Sequence, residues 1–204
     1  MRSCSSSGIP EEATVTQTVE IPGYVAGTWT IDPAHSEVGF VVRHLLISKV
    51  RGRFTAFEGR IVTGADPLES SVTARVDLAS VDTGNPQRDD HLRSADFLEI
   101  DRYPTLTYRA DALRREGEEF VLDGELTLKG VTRPVPLRVE INGFGPDPYL
   151  PDPRAGARVG FSARGEIDRT DFGVSFNSPI PGGEGLTLGE KVQIFLEIQA
   201  ALVV

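Results

Sequence analysis

LGEKVQIFLEIQAAL, the stretch from Leu188 to Leu202, decides the fold class of this chain. Val192, Ile194, Leu196, Ile198, Ala200 and Leu202 share one parity, while Lys191, Gln193, Glu197 and Gln199 share the other. Side chains of a strand alternate between its two faces, so the pattern predicts one long half-buried β-strand, with Phe195 the exception on its polar face. A helix would scatter apolar residues spaced two apart around its circumference. At about 3.4 Å per residue the stretch reaches roughly 50 Å if flat, where most strands hold about five or six residues. A strand of that length needs partners of similar length.

The rest of the chain supplies them. Trp29 and Ile31 open a first strand. Val38, Phe40, Val42 and His44 align on a second between Ser36 and Leu46. Lys49 to Val62 reads as a third, with Phe54 and Val62 on one parity and Phe57 and Ile61 on the other. Those mixed faces predict a bulge or a strand covered on both sides. Val72, Ala74, Val76 and Leu78 align between Ser71 and Val81. Asn85-Pro86 then supplies an N-cap and a first helical residue for one short helix, PQRDDHLRSADFL, with Leu92 and Ala95 on a common side. Further strands follow at Thr105–Leu113, Phe120–Leu128, Pro134–Phe144 and Val159–Ile167. Residues 145–157 are too rich in proline and glycine for regular structure, and DRTDFGVSFNSPIPGGEG is a long irregular connection. Eight or nine strands with no βαβ alternation predict an all-β, antiparallel fold. Barrel and sandwich both accommodate the pattern; long first and last strands favour an eight-stranded barrel, because closure removes two exposed edges.

Composition bounds the function. The 204 residues carry a net charge of −9, against the basic surfaces that nucleic acid or anionic membranes generally require. Cys4 is the single cysteine, so the fold rests on burial rather than on an intrachain disulfide. No apolar run is long enough for an integral membrane segment. Residues 1–23 read as a disordered polar tail without a secretory signal, which leaves residues 24–204 as one domain and a cytoplasmic location as the expectation. His35, His44 and His91 are the only histidines, and no HxH, HExxH or CxxC pair exists, so no metal site is expected. His35, next to the Pro33 turn, reads as a structural hydrogen-bonding group. Ser36 lies beside it, but without a GxSxG elbow no hydrolase is read, and no catalytic residue is assigned.

Four blocks carry a more specific signal: GTWTIDPAHSEVGFVVRHLLISKVRGRF (Gly27 to Phe54), VDTGNPQRDDHLRSADFLEIDRYPTLTY (Val81 to Tyr108), GELTLKGVTRPV (Gly124 to Val135) and ARGEIDRTDFGV (Ala163 to Val174). In content and order they resemble the signature blocks of the YceI-like family, lipocalin-like barrels that bind polyisoprenoids. The resemblance spans nearly all of residues 27–204 but not the tail or the proline-rich loop. It implies a non-enzymatic lipid-binding protein that sequesters or carries an isoprenoid quinone or a polyprenyl phosphate. It implies no further cofactor, and it brings a homodimer into consideration. Many relatives are exported, whereas no signal is read here. The expected tail cavity takes Trp29, Val38, Phe40, Val42, Phe54, Val76, Leu78, Leu92, Phe97, Phe161, Ile194 and Leu196. The expected head-group region takes His44, Arg88 and His91. Arg88 and His91 are three apart on one helix face, where a guanidinium suits phosphate; the same segment also reads as an ion-pair patch of Arg88, Asp89, Asp90 and Arg93 that anchors the helix. Two other readings stay open: an enzyme acting on a lipid or quinone through His91 or His44, and a protein-interaction module using the proline-rich loops.

Overall fold

A computed structural model describes residues 21–117, 119–152 and 156–203. Among the described residues, twelve strands form one antiparallel sheet. They are β1 (Gly27–Ile31), β2 (Glu37–His44), β3 (Ser48–Phe54), β4 (Phe57–Thr63), β5 (Ser71–Asp77), β6 (Val81–Asp82), β7 (Thr105–Glu116), β8 (Glu119–Leu128), β9 (Val131–Pro134), β10 (Leu137–Pro146), β11 (Ala157–Asp168) and β12 (Leu188–Leu202). One α-helix, α1 (Pro86–Arg93), follows β6.

The long last strand closes the sheet. Its N-terminal part pairs with β2, its C-terminal part with β1, and its other edge with β11 along nearly its whole length. The pairs Trp29↔Leu202 and Ile31↔Ala200 seal the barrel. Eight staves result, because β1 and β2 act as one interrupted stave, as do β3 and β4. The single third strand expected from Lys49 to Val62 is thus two strands, broken at Thr55-Ala56. The reason is the parity: Phe54 and Phe57 both face the interior, which a continuous strand forbids for residues three apart. The extra residue lets β3 pair with β2 and β6 while β4 pairs with β1 and β5. Phe195, the odd residue on the outer face of β12, lies over Gly39 of β2; a methyl group at Gly39 would collide with its ring.

The helix is shorter than its sequence signal. Asn85 caps it, its side chain accepting from the Arg88 N–H at 3.0 Å, and Pro86 begins it. It ends at Arg93, so Ala95 lies outside it and shares no helical face with Leu92. The chain then turns back and buries Phe97.

Two apolar clusters fill opposite parts of the interior. One gathers Leu78, Phe97, Tyr108, Leu122, Leu126, Leu137, Phe172 and Val174. The other gathers Trp29, Ile31, Ile61, Val159 and Ala200 at the end where β1 meets β12. Trp29 is fully buried there; its indole N–H donates to Thr63 Oγ1 at 2.8 Å and its ring meets Phe144 edge-on at 5.6 Å. Tyr24 packs on Phe144 and donates its hydroxyl to the Gly64 carbonyl. Of the expected tail, residues 1–20 lie outside the described residues. Ile21 borders the barrel interior.

Beyond that end, Arg158 of β11 bonds Asp32 at 2.6 Å and Asp147 at 3.1 Å, while His35 meets Asp32 at 2.9 Å. The hydrogen bond from His35 and the guanidinium of Arg158 hold the Asp32 carboxyl below its ordinary value, against an opposing effect of burial. A depressed native value stabilises the fold above the unfolded-state value of about 3.9 and is lost as pH falls through the native one. The melting midpoint should therefore hold steady from neutrality to about pH 5 and fall below about pH 4. Asp32→Asn should melt lower at neutral pH and lose less on acidification, as differential scanning calorimetry across that range can read.

Candidate functional site

Between the two clusters the barrel is hollow. The cavity measures about 530 Å³, inside the range of roughly 300–1,000 Å³ usual for small-molecule sites. Burial of the wall explains the space. Inward side chains of β8, Leu122, Leu126 and Leu128, are buried by the large cluster. Those of β2 and β12, among them Val38, Phe40, Val42, Ile194 and Leu196, are only half-buried although they sit mid-strand in a closed barrel. Their free surface faces the cavity.

Eleven of the twelve residues expected to line a tail cavity border it: Val38, Phe40, Val42, Phe54, Val76, Leu78, Leu92, Phe97, Phe161, Ile194 and Leu196. Trp29 is the exception. Alternation places it inward, but its height along the barrel puts it in the packed end, out of the cavity wall and tied to Thr63.

His44, Arg88 and His91 also border the cavity, all at the end away from Trp29. They are joined there by Thr83, Arg169 and Thr187. Arg88 is largely committed to its own helix start. Its Nε donates to Thr83 Oγ1 at 2.7 Å and its Nη2 to the Thr83 carbonyl at 2.9 Å. Thr83 in turn donates its hydroxyl to buried Asp89 at 2.5 Å. Arg88 Nη1 donates to none of the described residues. Arg93 serves the anchoring role read for this segment, pairing with Asp90 at 2.9 Å and donating to the carbonyls of Ala79 and Val81. His91 stands edge-on to Phe97 and Phe176 at 4.9 and 5.0 Å, and its Nε2 bonds Asp96 at 2.9 Å. That bond orients the ring and leaves Nδ1 for another partner.

Arg169, which the sequence did not single out, is the most constrained polar group of this end. It is 6% exposed and has no carboxylate within salt-bridge distance among the described residues. Its Nε donates to the Gly189 carbonyl at 2.9 Å, and its Nη1 to the carbonyls of Val174 at 2.6 Å and Phe176 at 2.9 Å. Burial pushes its pKa down, while the charges of Glu190 and Asp168 push it up; arginine stays protonated under such conditions. Its Nη2 takes no bond from the described residues. A fixed cation in an apolar wall therefore has one donor group left. Tyr108, also buried, donates its hydroxyl to carbonyls of Leu122 and Val135, and burial followed by the charge of Asp123 raises its phenol well above its ordinary value. Tyr108 is a neutral part of the wall.

No group of three His, Cys, Asp or Glu side chains suited to a metal ion occurs among the described residues. His35 and His44 are on different elements: His35 ends the short 3-10 turn Pro33–His35 and bonds Asp32, while His44 ends β2.

A closed antiparallel barrel, hollow and apolar along its wall, with a few cationic donors at one end, is a lipocalin-like barrel. The YceI-like domain model matches residues 29–200, and the chain belongs to that family. UPF0312 protein plu2095 of Photorhabdus laumondii is 39% identical over 139 residues, covering 68% of this chain and 70% of that protein. Protein YceI of Escherichia coli O157:H7 is 38% identical over 153 residues, covering 74% and 78%. Among solved structures, Burkholderia cenocepacia BcnA superposes with a TM-score of 0.66 at 24% identity, over 83% of this chain and 98% of its own. A polyisoprenoid binding domain from Saccharophagus degradans superposes with a TM-score of 0.63 at 18% identity, over 88% and 100%. At those identities the two structures speak for the fold alone.

Proposed function

We propose that this barrel is a non-enzymatic binding protein that holds a polyisoprenoid, an isoprenoid quinone or a polyprenyl phosphate, with its tail in the cavity and its head group near α1. The single observation that carries the reading is the half-buried inner face of β2 and β12, which leaves an apolar space of about 530 Å³ at the heart of a closed barrel. Each CH₂ of a tail moved there from water contributes about 0.8 kcal/mol. Polar groups then fix orientation: Arg88 Nη1 and Arg169 Nη2 lie at one end, where an oxygen-bearing head group finds donors, and His91 Nδ1, the acceptor of a ring whose Nε2–H bonds Asp96, accepts from a head-group O–H. Family membership and the polyisoprenoid-binding description of the Saccharophagus domain support the same ligand class.

The His91–Asp96 pair is the one feature here that an acid–base enzyme would also use. Both side chains are about half exposed, and no nucleophilic side chain bonds to the ring among the described residues. The pair supports a head-group rather than a chemical role. Competition binding tests the proposal. A long-chain prenyl phosphate should displace a bound fluorescent lipid from the parent, and Arg88→Ala or His91→Ala should weaken it by about 1.5–3 kcal/mol, the worth of a charge-assisted hydrogen bond. The free hydrocarbon of the same tail should bind the variants and the parent alike. Equal losses for both ligands would leave α1 with a structural role only, and no displacement by either would contradict the proposal.

A further inference from the structure

The β2–β3 hairpin ends in Leu45, Leu46 and Ile47 and stands at the same end of the barrel as the cationic donors. Its tip is built against ordinary turn chemistry. Leu45 and Leu46 both have left-handed backbone, at φ 52° and 64°, where glycine or asparagine is the usual choice. Leu46 is 59% exposed and Ile47 87%, the largest exposure among the big apolar side chains of the described residues. Leu186, 45% exposed, belongs to the neighbouring segment that covers this end; the Leu45 N–H donates to the Thr187 carbonyl at 2.8 Å. His44 and Thr187, on either side of that bond, border the cavity. The apolar tip is thus continuous with the cavity wall.

Charge singles out what it meets. The whole chain carries −9, yet Glu37 to Phe54 holds Arg43, Lys49, Arg51 and Arg53 against Glu37 alone, which is 4 − 1 = +3 with histidine neutral. Lys49 and Arg51 are exposed and make no ion pair with the described residues. Arg53 pairs with Asp82, and Glu166 and Glu190 of the adjoining strands border the groove that Arg43 and Lys49 line; the far side of this end carries Asp90 and Asp96 on and after α1, so the hairpin with Arg43, Lys49 and Arg51 is the more basic side. Exposed aliphatic side chains on a strained loop, flanked by free cations, fit an anionic lipid bilayer: the apolar tip enters the acyl boundary and the cations meet the phosphates.

We infer that the β2–β3 tip docks the barrel on an anionic membrane surface, hairpin inward and α1 turned away, and so sets the cavity against the pool of lipid it draws from. The inference rests on the reading of the cavity as a lipid site for its purpose, and on Leu46, Ile47, Lys49 and Arg51 for its geometry. Flotation with vesicles of phosphatidylglycerol and phosphatidylcholine free of any isoprenoid tests the docking alone. The full chain should float with these vesicles and much less with phosphatidylcholine alone. Leu46→Asp/Ile47→Asp should bind at least tenfold more weakly at unchanged melting midpoint, and Lys49→Glu/Arg51→Glu should lose the preference for the anionic lipid and most of its salt sensitivity. A parent that stays in solution, or variants that float as the parent does, overturns the inference. So does a parent dimer that Ile47→Asp splits in sedimentation velocity, which assigns the tip to a second copy. Uptake of a prenol from detergent micelles, measured on the same proteins, separates the two readings. Uptake without docking sinks only the membrane surface, and docking without uptake sinks only the lipid cavity.

Discussion

Leu196→Trp is expected to abolish lipid uptake while leaving the ligand-free fold close to that of the parent. Leu196 lies mid-way along β12, opposite Val38 of β2 and Ala163 of β11, with a half-buried side chain that borders the cavity. In a packed core an added ring forces neighbours off their rotamers at about 1–3 kcal/mol. Here the indole has space to enter, and the same space is the path proposed for the tail. A block there removes burial of several CH₂ groups at about 0.8 kcal/mol each, enough for a loss of affinity of tenfold or more. Isothermal titration with a long-chain prenol and a thermal melt of the empty protein read the two halves of this expectation. A destabilised variant that binds normally would show that Leu196 faces packed atoms instead.

Arg169→Ala carries the largest expected loss of stability. The guanidinium satisfies the carbonyls of Val174, Phe176 and Gly189 at once, from the short 3-10 turn Arg169–Phe172 that leaves β11. Those bonds tie the turn and the segment after it to the start of β12. Truncation leaves one buried and two part-buried acceptors without this donor, at about 1–3 kcal/mol for each that water does not reach. A net loss on the order of 3–5 kcal/mol follows, or a fall in melting midpoint of roughly 6–20 °C at about 2–4 °C per kcal/mol for a chain of this size. Arg169→Lys should recover little, because an ammonium on a flexible stem lacks the fixed fork. A variant melting within two or three degrees of the parent would mean that water replaces the guanidinium.

The two residues also mark where the sequence was and was not legible. Leu196 could be placed on the inner face from alternation alone, since β12 runs for fifteen residues and keeps one register against β11 from Lys191 to Ala201. The same alternation put Trp29 inward but could not give its height in the barrel, which is set by the distant pairing Trp29↔Leu202. It also merged β3 with β4, because the break at Thr55-Ala56 is an offset of one residue between two good strands. Closure into a barrel rather than a sandwich depends on β1 meeting β12, a contact between the two ends of the domain. Arg169 escaped notice because a charged residue in an irregular connection reads as solvated. Only the tertiary fold brings three carbonyls around it, although the family-like block ARGEIDRTDFGV contains it. Residue chemistry and family resemblance pointed to His44, Arg88 and His91, which border the cavity, but the engagement of Arg88 with Thr83 and of His91 with Asp96 depends on how the chain turns on each side of α1.

The central claim is that the hollow of the barrel holds an isoprenoid chain. Liquid chromatography with mass spectrometry of organic extracts tests it most directly, on the parent and on Leu196→Trp, each purified and then incubated with a mixture of prenols, prenyl phosphates and isoprenoid quinones. The parent should release a prenylated lipid stoichiometric with the chain, and the variant should release almost none. Equal amounts from both proteins, or no prenylated lipid from the parent, would contradict the account.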